Sequence, residues 1–284
     1  MIIIDFNQIA IANIYIQRLN EEDMIRHMIL NSIRMYNKRY RNEFGQMVIA
    51  CDGMNVWRKE FYPYYKANRK KAKEDSTMDW DVVYDILNRV RDEIRDNLPY
   101  KVLHLEGCEA DDIIATLTLQ TQEFGQDEPI MIVSSDKDFI QLQKFKNVKQ
   151  FSPLKKKLIK DENPRTYLFN HVMRGDAGDG VPNVLSHDDT FVSEKNQSPL
   201  RQTRIDDWLE KSDNLRECMD ETTYRNYQRN KRLIDLTEIP EEVQNRIINT
   251  FRDQPLNARS KVLNYLIKKR CNYLIENVEE FYNG

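Results

Sequence analysis

An α/β fold is predicted for this chain, with a mostly parallel central sheet, helices on both faces and a helical C-terminal subdomain. Three observations predict it. Short runs rich in isoleucine and valine alternate with helical stripes through the first half. Several of those runs end on an acidic residue. Beyond about residue 163 only helical periodicity remains.

The elements follow in order. Residues 1–5 (MIIID) are a short continuous apolar run, the pattern of a strand buried on both faces. Residues 21–42 carry Ile25, Met28, Ile29, Ile33 and Tyr36 at helical spacing. MVIACD (47–52) is the second strand, and 79–97 a helix with Val82, Val83, Ile86, Leu87 and Val90 on one face. KVLHLE (101–106) is the third strand, 110–124 a helix and PIMIVSSD (129–136) the fourth strand. Helical stripes then cover 167–174, 205–218, 224–236, 241–251 and 258–275, while the polar stretch 183–201 reads as a loop. The expected division is a core at 1–182, containing a basic segment at about 54–80, and a helical region at 183–284.

Composition excludes several classes. With 284 residues and 40% hydrophobic content the chain can bury a core, so it is no disordered tail. The apolar start ends at Asp5, far short of a membrane span, and no secretory signal pattern is present. Cys51, Cys108, Cys218 and Cys271 form no CxxC pair, which argues against a zinc site or a disulfide framework and for a cytoplasmic location. Net charge is −3, yet seven basic residues against Glu60 alone lie between Trp57 and Lys73, and Lys155, Lys156, Lys157 and Lys160 form a second run. Basic surface beside clustered acids suits a protein that binds phosphates and cleaves them with metals.

The acids sit where strands end. Asp5 closes the first strand, Asp52 the second and Asp136 the fourth, and Glu109 follows the third and opens a helix. In open parallel sheets ligands bind at the carboxyl ends of strands. EADD adds Asp111 and Asp112 in a first helical turn, SSDKD adds Asp138, and the glycine-rich GDAGD adds Asp176 and Asp179. The glycines of that last turn are expected to allow a close backbone approach to an ion or phosphate. So many carboxylates in one crevice repel each other unless cations lie among them. Oxygen ligands without histidine or thiolate point to magnesium or manganese. His27, His104, His171 and His187 fall in no motif. The segment 56–73 interleaves Arg58, Lys59, Lys66, Arg69, Lys70 and Lys71 with aromatics, a composition able to pair with phosphates and stack on unpaired bases.

These motifs (Asp5, CDG at 51–53, FYPYYKANR at 61–69, EADD at 109–112, SSDKDF at 134–139 and GDAGDGVP at 175–182) resemble the flap endonuclease and 5′-nuclease family, in the family's order. The helical remainder extends the likeness to phage ribonuclease H enzymes of the T-even type. The resemblance implies a PIN-like 5′-nuclease fold and two magnesium sites, also served by manganese, lined by Asp5, Asp52, Glu109, Asp111, Asp112, Asp136, Asp138, Asp176 and Asp179. It implies that Lys66 and Arg69 position the scissile phosphate at the base of a helical arch, with Tyr65 beside them. Similar proteins combine 5′-to-3′ exonuclease, flap endonuclease and ribonuclease H activity, removing RNA primers and 5′ flaps from lagging-strand fragments. Their substrates are branched duplex DNA and RNA–DNA hybrid with free 5′ ends, and a contact with single-strand DNA-binding protein is implied.

Two departures are visible. NVLSHDDTFVSEKNQSPL replaces the glycine-rich loop with which cellular members grip duplex DNA, so that Lys195, Arg201 and Arg204 are candidates for the task. The start at MIIID argues against the sliding-clamp contact of phage relatives. A monomer is expected. A PIN-type ribonuclease for single-stranded RNA is the alternative, but it needs neither the basic segment nor the long helical region. A non-catalytic binder of replication forks would require losses among the acids that the sequence does not show.

Overall fold

The computed structural model describes residues 1–17, 21–69, 78–122 and 126–282. It divides into two compact units, one of Met1–Met54, Asp79–Lys160 and Glu241–Gly284, the other of Asn55–Met78 and Asp161–Pro240. In chain order the helices are α1 (Phe6–Gln17), α2 (Glu22–Phe44), α3 (Trp57–Phe61), α4 (Trp80–Asn97), α5 (Ala110–Thr121) and α6 (Pro164–Arg174). They continue with α7 (Gln202–Glu210), α8 (Leu215–Cys218), α9 (Glu221–Ile234), α10 (Glu241–Asp253), α11 (Arg259–Lys268) and α12 (Asn272–Ile275).

The first unit is built on a sheet of β1 (Ile2–Asp5), β2 (Met47–Cys51), β3 (Lys101–His104), β4 (Ile130–Val133), β5 (Val148–Ser152) and β6 (Lys157–Ile159). Their spatial order is β3-β2-β1-β4-β5-β6. All neighbours are parallel except β6, which returns antiparallel on β5. Every residue of β1, β2 and β4 is buried, which explains their uninterrupted apolar character. The mostly parallel α/β reading therefore holds.

Three elements of this unit were not anticipated. Helix α1 follows Asp5 without a loop, so no polar punctuation separates it from the strand. Asp5 itself caps it, accepting the Gln8 amide at 3.1 Å. Strands β5 and β6 lie in a lysine-rich stretch whose exposed positions, such as Lys149 and Lys157, mask the pattern. The hairpin turn between them takes Lys156 into left-handed backbone, φ 52°. Elsewhere, 205–218 is two helices rather than one, parted by a 3₁₀ turn at Ser212–Asn214, residues whose side chains compete with helical backbone bonds. The helix expected at 258–275 breaks at Arg270, φ 53°.

The unit boundaries also differ from the 1–182 and 183–284 division. Residues 241–284 belong with the sheet, because amphipathic α10 buries Val243 and Ile247 in packing against α5 and β3. The buried Tyr100 hydroxyl donates to the Phe281 carbonyl at 2.6 Å, and Asn37 Nδ2 donates to the Glu280 carbonyl at 2.9 Å. Glu93 on α4 collects Arg26 Nε of α2 at 2.6 Å, the Tyr265 hydroxyl of α11 at 2.8 Å and Lys269. Burial alone would raise the Glu93 pKa, but these donors win and hold it below its usual value.

Among the described residues the second unit gathers apolar side chains in two clusters. One gathers Val56, Tyr62, Tyr65, Val172, Val181, Leu233 and Ile234. The other gathers Met173, Val184, Ile205, Trp208, Leu215 and Met219. Asn163 caps α6 through the Thr166 amide, with Pro164 at the first helical position, and Asp220 caps α9 through the Thr223 amide.

Glu93→Leu strands the buried Arg26 guanidinium with fewer acceptors. The variant should be destabilised by about 3 kcal/mol, seen as a lower urea midpoint with little change in slope. An unchanged midpoint would show that the cluster does not tie α2, α4 and α11 together.

Candidate active site

In the first unit β2, β1 and β4 are neighbours, so parallel pairing brings Asp52, Asp5 and the Ser134–Asp136 turn to the same edge. Each acid there is held by a specific donor. Asp5 accepts the Gln8 amide and, at 3.0 Å, the Ser134 hydroxyl. Asp52 accepts the Ala110 amide at 2.8 Å and Asn7 Nδ2 at 2.6 Å, which links the end of β2 to the N-terminus of α5. Asp136 Oδ1 accepts the Asp138 amide at 3.0 Å, and the Asp136 amide donates back to Ser134 Oγ at 3.1 Å.

Asp5 is buried, and that decides its electrostatics. Desolvation first, and then the charge of Asp52, push its carboxyl up to about 7, against the opposing bonds from Gln8 and Ser134. A cation at this edge would reverse the penalty. Carboxylates from three strand ends and no sulfur offer a hard-oxygen donor set, which suits a divalent ion such as magnesium. The residues present fit such an ion.

Around the same edge Glu109 is buried as the residue preceding α5, and Asp111 is half-buried. Asp112 is fully buried, and its carboxylate accepts the Glu109 amide at 2.9 Å as one half of a capping box. Through that bond Asp112 also fixes the start of α5.

The turn after Asp52 is closed by backbone. The Gly53 amide donates to the Cys108 carbonyl and the Gly107 amide to the Met54 carbonyl, both at 2.8 Å. A Cβ on Gly53 would lie 1.8 Å from the Leu105 carbonyl oxygen. Cys51, Cys108 and Cys271 are buried and Cys218 is exposed, and none of them forms a disulfide.

The second unit carries the remaining acids and the basic pair. Asp179 accepts the Tyr65 hydroxyl at 2.9 Å, pairs with Arg69 and lies 3.6 Å from Lys66 Nζ. Its carbonyl also accepts the Lys66 amide at 2.8 Å, which fixes Lys66 in left-handed backbone, φ 57°. Asp176 Oδ1 accepts the Asp179 amide at 3.1 Å. His171 Nε2 lies 3.3 Å from Asp176 Oδ2, and this bond, outweighing burial, holds Asp176 below its usual value. The histidine signal was the i, i+5 spacing from His171 to Asp176 across a helix end, invisible without the turn. Gly175, φ 68°, closely approaches the chain's own Val181 and Pro182 backbone; a Cβ there would lie 2.3 Å from the Val181 carbonyl oxygen.

Two residues expected on nucleic acid need correcting. Arg58 is buried, donates Nε to the Leu233 carbonyl at 3.0 Å and stacks 4.5 Å from the Trp57 ring. Tyr65 is buried in the apolar cluster with its hydroxyl on Asp179, so it offers no face for base stacking. Lys59, Arg69, Lys195, Arg201 and Arg204 are exposed, Lys195 against Asp189 at 3.1 Å and Arg204 over Trp208. Lys70 and Lys71, with the rest of 70–77 in the expected arch, lie outside the described residues. Asn7, Gln8 and Ser134 were missed: an asparagine, a backbone amide and a serine become legible only once the acid they hold is placed.

Residues 1–168 match the family described as 5′-3′ exonuclease, N-terminal resolvase-like domain, and residues 163–281 match that of the T4 RNase H C-terminal domain. Ribonuclease H of Enterobacteria phage T4 is 34% identical over 98% of this chain and 95% of that protein. The flap endonuclease Xni of Shewanella sp. strain MR-4 is 31% identical over 49% of this chain and 52% of its own length. Bacteriophage T5 5′-exonuclease, in a structure with divalent zinc ions bound, is similar in fold, with a TM-score of 0.62 at 16% identity over 89% of this chain and 98% of that one. The T5 flap endonuclease in a pseudo-enzyme–product complex with DNA and metal ions gives 0.63 at 16% identity, over 88% and 97%.

Because Leu105 O blocks any side chain at position 53, Gly53→Ala must displace the segment that follows Asp52. It should cost at least about 2 kcal/mol, measured by urea unfolding. An alanine accommodated without loss would mean that this turn is not closed as described.

Proposed function

The chain belongs to the family of 5′-3′ exonucleases with a resolvase-like N-terminal domain, and on that premise we propose that it trims RNA primers and 5′ flaps during lagging-strand replication. Its substrates are branched duplex DNA and RNA–DNA hybrid with free 5′ ends, and its reaction is magnesium-dependent phosphodiester hydrolysis. The observation that carries this reading is the convergence of acids from three adjacent strand ends around a carboxyl too buried to ionise readily on its own.

Asp5, Asp52, Glu109, Asp111, Asp112, Asp136 and Asp138 are the proposed ligands of the first unit; Asp176 and Asp179 join the set on the family resemblance. Two magnesium ions, or manganese in their place, would supply an activated water and stabilisation of the departing oxygen. The chain's own residues do the rest. Ser134 and Asn7 orient two of the carboxylates, and the Ala110 amide fixes Asp52 against a helix N-terminus. Lys66 and Arg69 neutralise charge that builds on the phosphoryl oxygens, a role that acts on the transition state more than on affinity. Tyr65 and Asp179 aim that pair. Lys59, Lys195, Arg201 and Arg204 serve as phosphate contacts that position the duplex without reading its sequence.

The protein acts as a monomer in the host cytoplasm, in contact with single-strand DNA-binding protein. Among the described residues no helix is long and apolar enough to cross a membrane.

A labelled 5′-flap duplex, a nicked RNA–DNA hybrid and a single strand, each with magnesium or a chelator, test the reading. Short 5′ products should come from the first two only with the ion, and Asp136→Ala should abolish them while binding stays within a few-fold. Cleavage of single-stranded RNA alone, or normal cutting by Asp136→Ala, would overturn it. Lys66→Ala should slow single-turnover cleavage by at least about a hundredfold with little change in duplex affinity. A loss confined to affinity would reduce Lys66 to a backbone contact.

A further inference from the structure

We propose that Gln150 is a positioning residue of this nuclease site, clamping the turn that carries Asp136 and Asp138. The inference rests on the reading of those acids as metal ligands.

Gln150 lies in β5, beside the β4 strand that leads into the turn, and has no exposed surface at all. At such a position in a parallel sheet an apolar side chain is the rule. A buried amide is costly unless its hydrogen-bonding capacity is used. Here both of its donors are used on one turn. Nε2 donates to the Ser134 carbonyl at 3.1 Å and to the Asp136 carbonyl at 2.5 Å. Oε1 accepts Gln143 Nε2 at 3.1 Å.

Those two carbonyls mark the place where the sheet runs out. Strand β4 ends at Val133, and the Ser134 amide makes one further bond to the Phe151 carbonyl at 3.1 Å. Beyond it the backbone must turn to present Asp136 and Asp138, and its carbonyls need donors from elsewhere. One side-chain amide supplies both. A continuous chain of bonds then runs from Gln150 through the turn to the metal edge. Asp138 N–H reaches Asp136 Oδ1, Asp136 N–H reaches Ser134 Oγ, and Ser134 Oγ reaches Asp5 Oδ2.

Ser152 repeats the device two residues along β5, on the same face of the strand. It is also fully buried, and its hydroxyl meets that of Ser135 at 2.8 Å. The Lys155 amide donates to Ser152 Oγ and the Leu154 amide to Ser135 Oγ, tying the same turn to the start of the β5–β6 hairpin. Thus β5 contributes no acid yet holds the acid-bearing turn at two points. Partners that orient metal-binding side chains in this way typically change metal affinity or activity by about 10–100-fold when removed.

The test uses Gln150→Met, which keeps length and apolar volume but removes both donors, with Ser152→Ala and Asp136→Ala beside it. Each purified variant is checked for cooperative unfolding, then assayed on the 5′-flap duplex across a magnesium titration. Folded Gln150→Met should need at least about tenfold more magnesium for half-maximal cleavage, with KM for the duplex unchanged. Wild-type magnesium dependence and rate in the folded variant would overturn the proposal. Should Gln150→Met not fold, Ser152→Ala decides: a rise of about threefold, the size expected for one lost hydrogen bond, supports it, and no rise overturns it. Asp136→Ala separates the two levels. If it cuts normally the metal-site reading itself fails, whereas an inactive Asp136→Ala beside a normal Gln150→Met sinks the clamp alone.

Discussion

The burial of one carboxyl constrains the rest of this structure. Asp5 ends a strand with no exposed position, lies beside two other strand ends that carry acids, and caps the helix that follows it. Desolvation and like charge together push its proton affinity up to about 7, and two hydrogen bonds are not enough to offset them. An arrangement of this kind weakens the fold on its own and persists where a bound cation compensates. The donors around it are accordingly fixed in place: the Gln8 and Ala110 amides, the Asn7 amide group and the Ser134 hydroxyl. Backbone and short side chains have little freedom to lose, so the carboxylates are held in position before any ligand arrives.

The second unit handles negative charge in the opposite way. Asp179 is met by Lys66, Arg69 and Tyr65, and Asp176 by His171. Its glycines serve chain geometry, since Gly175 lies against the Val181–Pro182 backbone and Gly180, φ 72°, would place a Cβ 3.0 Å from the Tyr64 carbonyl. The same turn is thus tight for internal reasons, and its two aspartates are presented as a consequence. Lys66 and Arg69 are aimed by that turn rather than by the helix ahead of them.

Much of this could be read from the residues, because apolar period and acid position are both local signals. MIIID, MVIACD and PIMIVSSD announce buried strands with acids at their ends, and the carboxyl edge of the sheet follows from parallel pairing. What escaped was set by contacts distant in sequence. β5 has no apolar run to announce it because its partner β4 supplies the burial, and Gln150 looks like an ordinary polar residue until the turn it clamps is known. Arg58 looks like a phosphate contact among its basic neighbours, yet Leu233, 175 residues on, buries it. The Tyr65 hydroxyl bonds Asp179 and its ring lies 5.0 Å from Lys66 Nζ, contacts that the sequence alone does not show. That Asp112 also takes part in a capping box with the Glu109 amide shows only once the helix start is placed. The C-terminal helices were visible as helices, but only their buried faces assign 241–284 to the sheet.

The central claim is that a divalent cation answers the charge on Asp5. Thermal unfolding of the wild-type chain and of Asp5→Asn, each in chelator and in millimolar magnesium or manganese, tests it without substrate. The wild type should gain stability with the ion in a saturable way. Asp5→Asn should start higher in chelator, because the charge repulsion is gone, and gain little from the ion. If the ion stabilises both proteins equally, or neither, the acids at this edge are not a metal site and the account built on Asp5 is wrong.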